Sequence, residues 1–306
     1  MKILLFGRDG QVGWELQRAL APLGRTVALG RQGLDGLCGD LSNPGGIADT
    51  VRRVAPDVIV NAAAYTAVDQ AESEPALART VNAEAPAVLA GAARRHGAWL
   101  VHYSTDYVFD GSGSHPWQET DTTAPLSVYG CTKLEGEDAI RVAGGAHLVF
   151  RTSWVYARRG RNFARTMLRL ACERDTLQVI DDQFGAPTGA DLVADVTAHA
   201  LRRARREPAL AGLYHLAARG ETTWYGYARF LLQVARDLGW PGRVDDDAIE
   251  PVRTGAFATA AVRPRNSRLD CRRLERAFDL RMPDWSDGVA RTVSEIVQLR
   301  AMEMGQ

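Results

Sequence analysis

Lys2-Ile3-Leu4-Leu5-Phe6 runs directly into Gly7-Arg8-Asp9-Gly10-Gln11-Val12-Gly13, and Trp14-Glu15-Leu16-Gln17-Arg18-Ala19-Leu20 follows with apolar residues at helical spacing. A short apolar run, a glycine turn and an amphipathic stretch spell strand, turn and helix. Gly7, Gly10 and Gly13 remove side chains where backbone must approach a pyrophosphate and where the helix must pack on the strand. The helix N-terminus then offers free amides to the anion. The spacing is G-x-x-G-x-x-G rather than the simpler G-x-G-x-x-G, so the triplet argues through its position straight after a strand more than through its pattern.

Outward from this turn the rhythm repeats. Thr26-Val27-Ala28-Leu29 is a second strand, ending in Gly30-Arg31 where an NAD-selective site would place an acid on the ribose 2′-hydroxyl. Arg31 can instead pair with a 2′-phosphate, which predicts NADPH in preference to NADH; an exposed loop arginine is the competing reading. Asp57-Val58-Ile59-Val60 is a third strand, followed by Asn61-Ala62-Ala63-Ala64, whose small residues leave room for a cofactor against the backbone. Trp99-Leu100-Val101-His102-Tyr103 is another, ending in Ser104-Thr105-Asp106, and His102 reads as a core residue. Ligands of an open parallel sheet bind beyond the carboxyl ends of its strands. Thr105 can therefore share an edge with the glycine turn.

Tyr129-Gly130-Cys131-Thr132-Lys133 supplies the chemistry. Lys133 is one of only two lysines among 37 basic residues, so an ammonium rather than a guanidinium is called for at that position. Spacing i, i+4 puts Tyr129 and Lys133 on one helix face. A nearby cation favours the phenolate and is expected to pull the tyrosine down toward neutrality, as a general acid requires.

With these residues in place, the chain resembles the extended short-chain dehydrogenase/reductase family. The resemblance runs from Gly7–Gly13 through Asn61–Ala64, Tyr103–Phe109, Tyr129 and Lys133. It continues into Arg151–Tyr156, Asp182–Thr188 and Arg263–Leu269, which narrow it to reductases of a 4-keto sugar nucleotide. It implies a catalytic set of Thr105, Tyr129 and Lys133, with Asp106 and Trp154 beside the substrate. Cofactor contacts are implied from Gly10, Gln11, Val12, Asp40, Leu41, Ala62, Ala63 and Ala64. The implied reaction is NADPH-dependent reduction of the C4 ketone of a dTDP-linked 4-keto-6-deoxy sugar. Similar proteins often carry an acid at the position of Gly30, which leaves NADH open as the cofactor. The resemblance also implies a homodimer joined by Mg2+ through Glu15, Asp191 and Glu295; unrelated surface acids are the simpler reading of that trio.

The implied fold class is α/β: a doubly wound parallel-sheet Rossmann domain over residues 1–155, and a smaller C-terminal mixed α/β substrate domain over 156–306. Segments at about 178–200 and 211–218 are expected to return to the first domain. Amphipathic helices are predicted over Asn162–Glu173, Trp224–Leu238 and Val289–Met302, with short strands at Gln178–Ile180 and Leu213–Leu216. One of Arg158, Arg159 and Arg161 is placed to meet a substrate diphosphate, solvated loop charge being the alternative.

Composition bounds the partners. The 37 basic and 37 acidic residues balance, leaving no global field for nucleic acid or an anionic membrane. No signal-peptide pattern opens the chain and no apolar run approaches a bilayer span, so a cytoplasmic enzyme is expected. The four cysteines lack paired spacing and read as reduced thiols. Two rivals stay open: another nucleotide-sugar reductase or epimerase, and a non-catalytic dinucleotide-binding regulatory subunit.

Overall fold

The strand Lys2–Phe6 (β1) is the hub of a parallel sheet in the computed structural model, which describes residues 1–304. It is flanked by Arg25–Leu29 (β2) and Val58–Asn61 (β3). Beyond β3 lie Trp99–Thr105 (β4), His147–Thr152 (β5) and Gly212–His215 (β6). The order is β6-β5-β4-β3-β1-β2, parallel throughout. The doubly wound α/β class is therefore the observed one, and β4 reaches two residues further than its apolar run, carrying Ser104 and Thr105 to the sheet edge.

Alternate residues of β1 feed two cores. Ile3 and Leu5 pack with Val58, Val60, Val101 and Phe150 on one face, while Leu4 and Phe6 pack with Ile59, Leu100 and Val149 on the other. A strand buried on both faces needs helices on both sides. Gln11–Leu20 (α1) and the helix Ala190–Ala204 cover the first face; Pro44–Val54 (α2) and Ala85–His96 (α3) cover the second. The chain changes direction across the sheet at β1, and the crevice beyond the ends of β1 and β3 is the switch point where such sheets bind ligands.

Val128–Ala143 (α4) carries Tyr129 and Lys133. Ser127 caps it, its hydroxyl accepting the amide of Gly130 at 3.2 Å. Two glycines seat the helix: a Cβ at Gly130 would overlap the carbonyl oxygen of Tyr107, and one at Gly136 that of Asn82. A buried bidentate pair, Arg151 Nε and Nη2 on the Glu137 carboxylate at 2.9 and 2.6 Å, bolts α4 to β5. Against α4 the chain widens into a π-helical turn at Thr80–Glu84, a form found mostly where a side chain is put to use. Asn82 in that turn binds the backbone of Tyr65 from both sides, accepting its amide at 2.8 Å and donating to its carbonyl at 3.1 Å. The loop after β3 is thereby fixed.

A third core joins the helices Phe163–Glu173, Trp224–Asp237 and Trp285–Met304 to the paired strands Leu177–Ile180 and Ile249–Val252. The last helix begins four residues before its predicted start. The chain rejoins the main sheet through Ala190–Ala204 and β6, whereas Leu177–Ile180 stays with the second lobe. Leu177–Ile180, at the start of the segment expected to return from about residue 178, has its strand partner in Ile249–Val252. Among the described residues no helix is long and apolar enough to cross a membrane.

Candidate active site

One cleft of about 990 Å³ opens along the carboxyl edge of the sheet, between the glycine turn, the end of β4, the first turns of α4 and the loop around Trp154. Gly7, Gly10, Gln11 and Val12 line one end, with Arg31, Asp40 and Leu41 beside them. Ala62, Ala63 and Ala64 form the middle wall, and Thr105, Asp106, Tyr129, Lys133 and Trp154 the other end. Gly13 is not on the wall. It packs the helix on the turn, where a Cβ would overlap the carbonyl oxygen of Gly7. Gly7 itself has φ +87°, and a Cβ there would come within 2.7 Å of the Ala62 and Ala63 backbone.

At the glycine end, α1 begins with no side-chain cap and no acid in its first turn, so its amides and positive dipole end face the cleft. Arg31 is exposed, its Nε 3.9 Å from Asp40 Oδ1. A Cβ at Gly30 would meet only the end of the exposed Asp9 side chain.

The chemical end departs from expectation. Lys133 is 1% exposed, and its amine does not act on Tyr129: Nζ lies 2.6 Å from the carbonyl oxygen of Tyr103 and 3.1 Å from His102 Nε2. Burial pushes the Tyr129 phenol upward, opposed by the neighbouring Thr105 hydroxyl and reinforced by the charges of Asp106 and Tyr107. The pull toward neutrality inferred from i, i+4 spacing is thus reversed in the free protein. Spacing reports adjacency on a helix, whereas the sheet under α4 both desolvates the phenol and offers the amine better acceptors. Burial also lowers Lys133 to about 8, against the favourable charge of Glu137.

The Thr105 hydroxyl donates to Asp106 Oδ1 at 3.2 Å and accepts the amide of Tyr107. Tyr107 meets Tyr129 edge to face, centroids 5.5 Å apart. The hydroxyls of Ser104 and Ser153 are buried on this wall without a protein partner. Trp154 adopts φ +49° and stacks on Trp224 at 3.7 Å, with Gly185 beneath it. Of the three loop arginines only Arg161 lines the cleft; Arg159 lies over the Trp14 ring at 3.5 Å. Asn162 ties this loop to the glycine turn, donating to Gln11 Oε1 at 2.8 Å.

The two later motifs meet as a brace. Phe184 donates its amide to Arg265 at 2.7 Å, Arg268 lies over the Phe184 ring, and the buried Asn266 amide donates to the carbonyls of Ser112 and His115. Arg263 pairs with Asp69 across the cleft mouth.

With this geometry in view, the comparison with known proteins is direct. The model of the RmlD substrate binding domain matches residues 1–298. The chain belongs to the RmlD family. A dTDP-4-dehydrorhamnose reductase of Escherichia coli K12 is 57% identical over 302 residues, covering 99% of this chain and 100% of that one. Its counterpart in Salmonella typhimurium is 57% identical over 296 residues, covering 97% and 98%. The crystal structure of dTDP-4-dehydrorhamnose reductase from Bacillus anthracis in complex with NADP superposes with a TM-score of 0.85 at 32% identity, covering 96% of this chain and 99% of that one. Nucleotide-sugar reduction is therefore the setting in which this RmlD cleft is to be understood.

Sequence reasoning passed over three residues of this site. His102 counted as core because its strand is apolar, Asn61 entered only as a small residue after a strand, and Asn82 carried no motif at all. A lone histidine inside an apolar strand is the local signal in the sequence; its register with Asn61 on the next strand is set by the fold. The acids Glu15, Asp191 and Glu295 do not gather. Glu15 pairs with Arg18 and Asp191 with Arg291, and among the described residues no three His, Cys, Asp or Glu side chains come together to hold a metal.

Asp106 gives a pH prediction. Burial raises its carboxyl to about 6, so the folded state favours the protonated form. That contribution is complete below the ordinary carboxylate range and is lost as pH rises through about 6. Asp106→Asn should gain stability over the native chain between about pH 4 and pH 7.5, by up to ~3 kcal/mol, in urea melts at several pH values. A pH-independent difference would contradict the raised carboxyl.

Proposed function

We propose that this protein reduces the C4 ketone of dTDP-4-dehydro-6-deoxy-L-mannose (dTDP-4-dehydrorhamnose) to dTDP-L-rhamnose with NADPH, in the cytoplasm, as the last step of dTDP-rhamnose formation. The observation that carries the reaction type is the meeting of Thr105, Tyr129 and Lys133 in the same cleft as the glycine turn. The substrate follows from full-length kinship to reductases of that sugar nucleotide. Four free cysteines suit a reducing compartment.

The residues present fit a reduced nicotinamide dinucleotide: uncapped amides at α1, a turn with no side chain at Gly7, and unpartnered buried polar groups at the far end of one cleft. When bound, that cofactor supplies the hydride. In this reading the amides at Gln11 and Val12 hold the pyrophosphate, which Gly10 lets approach by having no side chain, and Arg31, Asp40 and Leu41 hold the adenosine end. The Ala62–Ala64 backbone forms the wall, and Lys133 anchors a ribose hydroxyl. Arg161 meets the diphosphate of the sugar nucleotide, with Asp106 and Trp154 against the sugar. Tyr129, kept protonated by burial, gives its proton to the oxygen developing at C4 while Thr105 hydrogen-bonds the same oxygen. For that bond the Thr105 hydroxyl turns from Asp106.

Oxidation of NADPH should be fastest with the dTDP-linked 4-keto-6-deoxy sugar and slower with its UDP and GDP counterparts. In the same assay Tyr129→Phe should lose ~10²–10⁴ of kcat with cofactor affinity nearly unchanged. A variant retaining more than about a tenth of kcat would remove Tyr129 as the proton donor. Arg31→Ala should lower the ratio of kcat/KM for NADPH over NADH, and an unchanged ratio rejects its role at the 2′-phosphate. A homodimer joined by Mg2+ through Glu15, Asp191 and Glu295 should fall to monomer mass on chelation; a mass indifferent to chelator rules that linkage out.

A further inference from the structure

The floor of the cleft holds a chain of polar groups that the proposed reaction leaves unexplained. His102 on β4 and Asn61 on β3 are adjacent in register and each 1% exposed, so their hydrogen-bond partners are protein groups. His102 Nε2 lies 3.1 Å from the Lys133 amine, and its Nδ1 lies 3.1 Å from the amide nitrogen of Asn61. The orientation of the Asn61 amide is set independently, because Asn61 Oδ1 accepts the backbone amide of Ala63 at 3.3 Å.

Donor and acceptor counting then leaves one arrangement. Burial pushes His102 well below its ordinary value, so the ring is neutral, with one N–H and one bare nitrogen. Asn61 donates to Nδ1, so Nδ1 is the bare nitrogen and the hydrogen sits on Nε2, aimed at Lys133. An ammonium has three donors and no lone pair to accept that hydrogen, whereas a neutral amine has one. The amine can still donate to the carbonyl oxygen of Tyr103. We propose that in mildly alkaline solution the free protein holds Lys133 as a neutral amine, locked by the Nε2–H of His102 and the amide of Asn61, and that the amine takes up a proton from solvent when the dinucleotide binds.

His102 and Asn61 are thus positioning residues acting through Lys133. Burial is what favours the neutral amine. Glu137, one turn along α4, favours the ammonium, but its carboxylate is engaged by Arg151 from β5. Tyr129, one turn back, stays a neutral phenol. The proposal rests on the reading that puts a cofactor ribose against Lys133. Ribose hydroxyls and phosphate charge would replace His102 as partners and favour the ammonium, creating the cation beside Tyr129 at the moment the phenol is needed as an acid.

Two measurements test this on the full chain. Nitrogen-15 NMR of the free protein should show His102 with a protonated Nε2 and a bare Nδ1; an Nδ1–H tautomer or an imidazolium overturns the lock without reference to any cofactor. Calorimetric titration with NADPH at about pH 8.5, in two buffers of different ionisation enthalpy, should show uptake of about three-quarters of a proton, since Lys133 near 8 is then mostly neutral. Lys133→Met should abolish the uptake while leaving measurable binding. Binding without uptake, or uptake that survives in that variant, overturns the proposal. No NADPH binding at all overturns the cofactor reading and the uptake with it, while the tautomer result still stands for the free protein.

Discussion

Burying the Lys133 amine removes water from every side of a group that needs partners, and the fold replaces it with a strand carbonyl from Tyr103 and a ring nitrogen from His102. Those partners come from β4, so the amine is correctly placed only if α4 lies close against that strand. Closeness is set by two residues without side chains, Gly130 against Tyr107 and Gly136 against Asn82, and by the buried Glu137–Arg151 pair. The same seating carries Tyr129 to the end of β4, beside Thr105 and Asp106. Site geometry and helix packing are one constraint here.

The second lobe closes the site by different means. Its contribution is aromatic and backbone-mediated: Trp154 stacked on Trp224, Asn162 reaching Gln11, and Asn266 holding the loop after β4 through main-chain carbonyls. Stacked indoles and amide bonds fix direction better than apolar contact does, because each has a narrow range of favourable geometry. The motifs at Asp182–Thr188 and Arg263–Leu269 therefore work as a brace that shapes the cleft mouth.

Much of the fold was legible because its signals are local. An apolar run ending in Gly7 has few alternatives to strand and turn, and the strands near residues 26, 58 and 99 each announce themselves by composition. The placing of Thr105 and Tyr129 at one edge also followed, since parallel strands bring their carboxyl ends together. Long-range pairing was less accessible. Nothing local in Leu177–Ile180 says that its partner is Ile249–Val252 and not the main sheet, and the π turn at Asn82 has no pattern of its own.

The charge logic of the site shows the division most clearly. Sequence alone determined that a tyrosine and a lysine share a helix face beside a dinucleotide turn, because helical periodicity and strand–turn–helix order are properties of the chain itself. Only the tertiary structure decided what those groups experience. Desolvation by the sheet keeps the phenol protonated, and a histidine from β4 with an asparagine from β3 claims the amine. Electrostatics in a buried site depends on every group within a few ångströms, and those neighbours are brought together by folding from positions far apart in the chain.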